Sequence, residues 1–204
     1  MVEIIVPVYS AARQSKGVTL IELVVVLAIV ALLAALAAIG PGFISTEKVR
    51  NTTKELLADL QFIRHSAMML GPDATTANLR GYGIRFESNN RYRLFRFNDS
   101  NQNFSYDGAA EESPLTAGES AVRQRDIPAP LDLQVKSGGS LADPEDAIVI
   151  FDHLGMPRQA NLGVQQMSIV IHNPDMGEVA KQCVTVSYNR IREGEWNGSA
   201  CRQQ

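Results

Sequence analysis

From Val18 to Ile39 the chain is apolar at every position except Thr19 and Glu22. Wound as one helix, these 22 residues rise about 33 Å, which matches the hydrocarbon thickness of a bilayer. Gly40-Pro41-Gly42 follows and predicts a kink or a short melted stretch. Proline removes a backbone donor and crowds the carbonyl four residues back, and glycine lowers helix propensity. Beyond it, Val49, Leu56, Leu60, Ile63 and Ala67 recur at helical spacings within Ser45 to Leu70, the stripe of an amphipathic helix. Gly71-Pro72 ends that helix.

After Leu70 the period changes from that of a helix to that of a strand. Tyr82, Ile84 and Phe86 alternate on one face, Tyr92 and Leu94 continue on a partner, and Ser88 to Asn90 supply the turn of a hairpin. The stretch from Asn98 to Ser120 is polar and rich in breakers, so a long loop is expected. Further strands are predicted at Leu131–Lys136, Ala147–Phe151, Ser168–His172 and Val184–Tyr188, with a turn at Asn173–Gly177. The predicted fold class is α+β: a long N-terminal helix packed on a mostly antiparallel β-sheet head. The expected divisions are 1–17, the membrane or assembly helix 18–39, the helix continuation 40–70 and the β-rich head 71–204.

Composition narrows the function classes. The chain has 204 residues, 45% hydrophobic and 20% charged, with a formal net charge of −3. That mild acidity argues against a dedicated nucleic-acid binder. His65, His153 and His172 are scattered without metal-ligand spacing. No nucleophile elbow, phosphate-cradling glycine loop or paired-carboxylate motif is present, so no enzymatic activity, cofactor or metal is expected. Asp99, Asn101 and Asn103 have the spacing of a calcium loop. Phe104 stands where that loop requires glycine, however, and no Glu falls at the twelfth position. Arg85, Arg91 and Arg93 on the outer face of the first hairpin are a candidate basic patch, with solvated strand charges as the simpler reading. Cys183 and Cys201 form a disulfide if this end is exported, and are free thiols or metal ligands otherwise.

Glu22 raises the sharpest question, because a carboxylate inside hydrocarbon needs a partner. Arg13 and Lys16 precede the apolar run, which keeps the N-terminus cytoplasmic and sends the rest outward. A secretory signal cleaved within Leu33–Gly40, or a plain signal anchor, explains the charges but not the acid. Gly17, Val18, Thr19, Leu20, Ile21, Glu22 and the apolar run together resemble the class III signal of type IV prepilins. Val18 departs from that pattern, where Phe or Met is usual. The resemblance implies cleavage by prepilin peptidase between Gly17 and Val18, which makes 1–17 a leader peptide, and then N-methylation at Val18. Glu22 would neutralise the new amine, in its own subunit or a neighbour's. Opposite unit charges about 4 Å apart attract by about 4 kcal/mol at an effective dielectric near 20.

A second resemblance covers the head. Arg64 to Ala67, Phe151 to Gly155, and Arg190 with Arg192 after Asn189 are similar to motifs of the GspH/FimT family of minor pilins and minor pseudopilins. Asn189 takes the place of a glycine there, in a turn where a left-handed residue is expected. The resemblance implies a structural subunit that initiates or caps a type IV pilus or a type II secretion pseudopilus. It also implies an inner-membrane, single-pass location with a periplasmic head, other pilins as partners, and a loop-closing Cys183–Cys201 disulfide. Arg190 and Arg192, alternating about Ile191 on one side of a strand, give the alternative: a minor pilin that binds DNA during uptake. Glu193 and Glu195 would blunt that field.

Overall fold

Thr19 sets where the first helix starts. Its hydroxyl accepts the N–H of Glu22 at 3.3 Å and its carbonyl accepts the N–H of Leu23 at 3.1 Å. Thr19 is therefore the N-cap and Glu22 the third helical residue, the spacing of a capping box. Helix α1 runs Leu20–Ala37. The computed structural model describes residues 17–37, 41–70, 79–116 and 118–202. The chain divides into two units, Met1–Gly40 and Pro41–Gln204. In the first, Gly17 to Ala35 are all exposed, so α1 is apolar all round and unburied within its own unit. Among the described residues no helix is long and apolar enough to cross a membrane. The 18 residues of α1 rise about 27 Å, just short of a hydrocarbon core. The run Val18–Ile39 extends past α1 into 38–40, outside the described residues.

Helix α2, Pro41–Leu70, opens the second unit with proline at its first position, where the missing N–H would have no intrahelical partner. Gly42 is also helical, and the rest of the expected Gly40–Gly42 interruption lies outside the described residues. The predicted stripe is the buried one: Val49, Leu56, Leu60 and Ile63 are fully buried and Ala67 nearly so.

Among the described residues, eleven strands follow. In chain order they are β1 Leu79–Ser88, β2 Arg91–Asn98, β3 Glu112–Ser113, β4 Arg123–Asp126, β5 Asp132–Lys136 and β6 Ile148–Phe151. Then come β7 Pro157–Arg158, β8 Met167–His172, β9 Lys181–Val186, β10 Ile191–Trp196 and β11 Cys201–Arg202. One sheet has the order β3-β2-β1-β6-β7, with β4 also on β2; the other has β11-β10-β9-β8-β5. Every pairing is antiparallel. The predicted hairpin is β1–β2, with Ile84 opposite Leu94 and Phe86 opposite Tyr92.

Both sheets contribute to a single core beneath α2. Ile84, Phe86, Leu94, Val149 and Phe151 from the first meet Ile169, Ile171, Val184 and Val186 from the second against Leu56, Leu60 and Ile63. Full burial of each such side chain contributes about 1.5–3 kcal/mol. The polar stretch after β2 is not a free loop. It contains a short 3₁₀ turn at Ala109–Glu111 and β3, and it lays Tyr106 over Phe95 and Phe97 on the outer face of the first sheet. The Tyr106 N–H donates to the Ala160 carbonyl at 2.6 Å, which pins this cover in place. On the outer face of the second sheet, Val170, Cys183 and Trp196 form a smaller cluster.

Candidate functional site

The first candidate is the segment before α1. Gly17, Val18 and Thr19 are exposed and outside regular structure, and Leu20 begins the helix. The Gly17–Val18 bond thus lies in an accessible, non-helical stretch two residues before a capped helix. The Thr19 cap holds Glu22 in the first turn of α1, where the positive end of the helix dipole favours an acid.

The second lies at the far end of α2, where all three head motifs converge. Arg64 donates from its guanidinium to the Asn189 carbonyl at 3.2 Å, across 125 positions of sequence. Its Nε is buried beside the turn after β6. A Cβ built on Gly155 would lie 3.2 Å from that nitrogen and 2.8 Å from the Met68 sulfur. Gly155 has φ 71°, so glycine is required both by the backbone and by the close approach of α2. Asp152 builds the turn: its Oδ1 accepts the N–H of Leu154 and of Met156, each at 2.9 Å, and Oδ2 pairs with Arg158. Between α2 and the Arg190–Ile191 segment a cavity of about 370 Å³ is lined by Gln61, Arg64, His65, Met68, Arg190 and Ile191.

Arg190 directly precedes β10, and Arg192 lies on it. Ser187 donates from both its N–H and its hydroxyl to the Arg190 carbonyl, at 3.0 and 2.9 Å, closing a turn before β10 begins. Arg190 is exposed in that turn, while Arg192 lies on β10 opposite Thr185. Asn189 is not left-handed; the non-glycine residues with positive φ among the described residues are Gln102, Phe104, Asp146 and Leu162.

The other candidates are accounted for locally. The basic patch on the first hairpin is neutralised: Arg85 pairs with Glu87, Glu112 and Asp146, Arg93 with Glu87 and Glu112, and Arg91 with Asp126. Although burial opposes the charge on Arg85, its carboxylate neighbours, Glu112 foremost, raise its pKa above the ordinary value. In the Asp99 loop, Arg80 occupies the Asp99 carboxylate, and the amides of Asn101 and Asn103 both donate to Asp107. Among the described residues no group of three or more His, Cys, Asp or Glu could hold a metal ion. Cys183 and Cys201 are joined in a disulfide, spanning a separation of 18 residues. Sequence reasoning missed Gln61, Met68 and the Asp152 turn contacts; the helical phase of residues 61, 64, 65 and 68 was the available signal for the groove wall.

A solved structure similar to this chain is that of the minor pseudopilin EpsH from the type 2 secretion system of Vibrio cholerae. The likeness covers 72% of this chain and 95% of that one, with 11% identity and a TM-score of 0.46. No curated protein matches the sequence. Residues 12–38 match the family described as the prokaryotic N-terminal methylation motif. That segment takes in the Gly17–Val18 bond, Thr19, Glu22 and all of α1, so the chain carries a prokaryotic N-terminal methylation motif.

Proposed function

We propose that this protein is a minor pilin or minor pseudopilin, a structural subunit of a type IV pilus or a type II secretion pseudopilus. Prepilin peptidase cuts between Gly17 and Val18, and the new amine is methylated. The segment Val18–Ile39 holds the protein in the inner membrane with the head outside, then packs against the same segment of other pilins in the filament. One observation carries the reading: an exposed, non-helical Gly17–Val18 bond inside the matched methylation motif, directly ahead of a Thr19-capped helix with Glu22 in its first turn. A helix apolar on every side needs lipid or other helices around it. N-terminal sequencing after co-expression with a prepilin peptidase tests the cut. A mature chain beginning at Val18 is expected, and one beginning beyond Ile39 would discard Glu22 and end the proposal.

The alternative, a DNA receptor working through Arg190 and Arg192, has less support, since Glu193 and Glu195 stand exposed beside them on β10. A gel shift with and without both arginines decides it. Salt-sensitive binding lost with the pair is the outcome that favours DNA.

A further inference from the structure

We propose that the groove at the C-terminal end of α2 is a docking site for an acidic, apolar peptide segment of a partner protein. This inference uses none of the filament reading above. Two features coincide there. The first is exposed apolar surface: Met68, 45% exposed, lines the groove with Ile191, and the exposed Met69, Leu154 and Tyr188 are the chain neighbours of Met68, Gly155 and Asn189, which meet at its edge. Clustered exposed apolar side chains with a polar rim mark interaction sites.

The second feature is charge without a counter-charge. Arg50, Arg80, Arg85, Arg91, Arg93, Arg123, Arg125 and Arg158 all pair with carboxylates. Arg64 and Arg190, which line the groove with His65, meet no carboxylate among the described residues, and no Asp or Glu lines the cavity. In a chain of net charge −3, this local excess of cations is complementary to an anionic partner. Guanidinium groups suit carboxylates in a bidentate fork, and Met surfaces adapt to varied apolar side chains.

The pattern favours a peptide over a polyanion. Two arginines beside an apolar floor match one or two carboxylates flanking an apolar side chain. A nucleic-acid backbone would continue past them toward Glu193 and Glu195, both exposed on β10, and would gain little from Met68 or Leu154.

The test is fluorescence anisotropy on the full chain in detergent micelles. The probes are labelled peptides of about ten residues alternating Leu with Glu, Leu with Lys, or Ser with Glu, and an oligothymidylate. The Leu–Glu peptide should bind most tightly, with an affinity that falls as salt rises. Arg190→Glu should weaken it about tenfold or more, and Leu154→Ser by a smaller factor. Both positions are exposed, and an unchanged melting temperature confirms folding; should Arg190→Glu melt early, Arg190→Gln replaces it. Equal binding of the Leu–Lys peptide, indifference to the Arg190 variants, or no binding at all would overturn the proposal. Preference for the oligothymidylate would also overturn it and assign the surface to nucleic acid.

Discussion

The Oγ1 of Thr19 accepts the backbone N–H of Glu22 at 3.3 Å, so the residue that starts α1 also fixes where its single acid stands. Two roles can be separated by substitution. Thr19→Ala removes the cap, worth about 1 kcal/mol. Hydrogen exchange of the Glu22 amide in micelles should then speed up about fivefold. Glu22→Ala should leave peptidase cleavage intact and sharply reduce incorporation into a fibre, because the amine at Val18 loses its counter-charge. Normal incorporation of Glu22→Ala, scored by sheared-fibre immunoblot, would refute the pairing.

The disulfide joins β9 to β11 across the second sheet, with Cys183 fully buried beside Trp196. Closing a loop of this size stabilises by about 3 kcal/mol in the chain-entropy account. Reduction, or a Cys183→Ala/Cys201→Ala double variant, should lower the unfolding free energy by about 2–4 kcal/mol in urea titrations. An identical midpoint with and without reductant would contradict this.

How much of this was legible in the sequence follows from where side chains point. Tyr82, Ile84 and Phe86 announce β1 because their face of the sheet belongs to the core under α2. Strand β4, Arg123–Asp126, is polar throughout, because it pairs with β2 through its backbone and leaves its side chains outside. Strand β10 hides for a related reason: Arg192, Glu193 and Glu195 interrupt it, and Gly194 is there because a Cβ would strike the Arg202 carbonyl. The polar stretch after β2 reads as a loop, since one residue, Tyr106, supplies most of its aromatic cover. At the α2 groove each motif was visible alone. Their meeting depends on the β1–β6 and β8–β9 registers, which no local pattern encodes.

Tyr92 makes alkaline stability informative. Burial, and then the neighbouring Asp59 carboxylate that accepts its hydroxyl at 3.0 Å, raise the Tyr92 pKa far above its ordinary value near 10. The folded protein therefore keeps the phenol proton where the unfolded chain has lost it. The stabilisation is complete below about pH 10 and declines above it, by about 1.4 kcal/mol per pH unit for this group. Tyr92→Phe should flatten that decline in urea titrations between pH 10 and 11. Tyr106, raised by burial and by its bond to Glu112, adds to the same trend and should be tested alongside it.

Gly155 and Met68 offer a test of the joint between α2 and the turn after β6. At φ 71° an alanine costs about 1–2 kcal/mol in backbone strain alone. Its Cβ would also lie 2.8 Å from the Met68 sulfur, closer than van der Waals contact allows. Gly155→Ala should therefore destabilise by more than the strain, and Met68→Ala, at a position 45% exposed, by little. In the double variant the crowding by Met68 disappears while the strain and the 3.2 Å approach of Arg64 Nε remain, so the two changes should be less than additive. A double-mutant cycle by urea denaturation measures this directly. Strict additivity would mean that the flexible Met68 side chain swings aside without cost, leaving the backbone conformation and the Arg64 approach as the reasons for glycine at this turn.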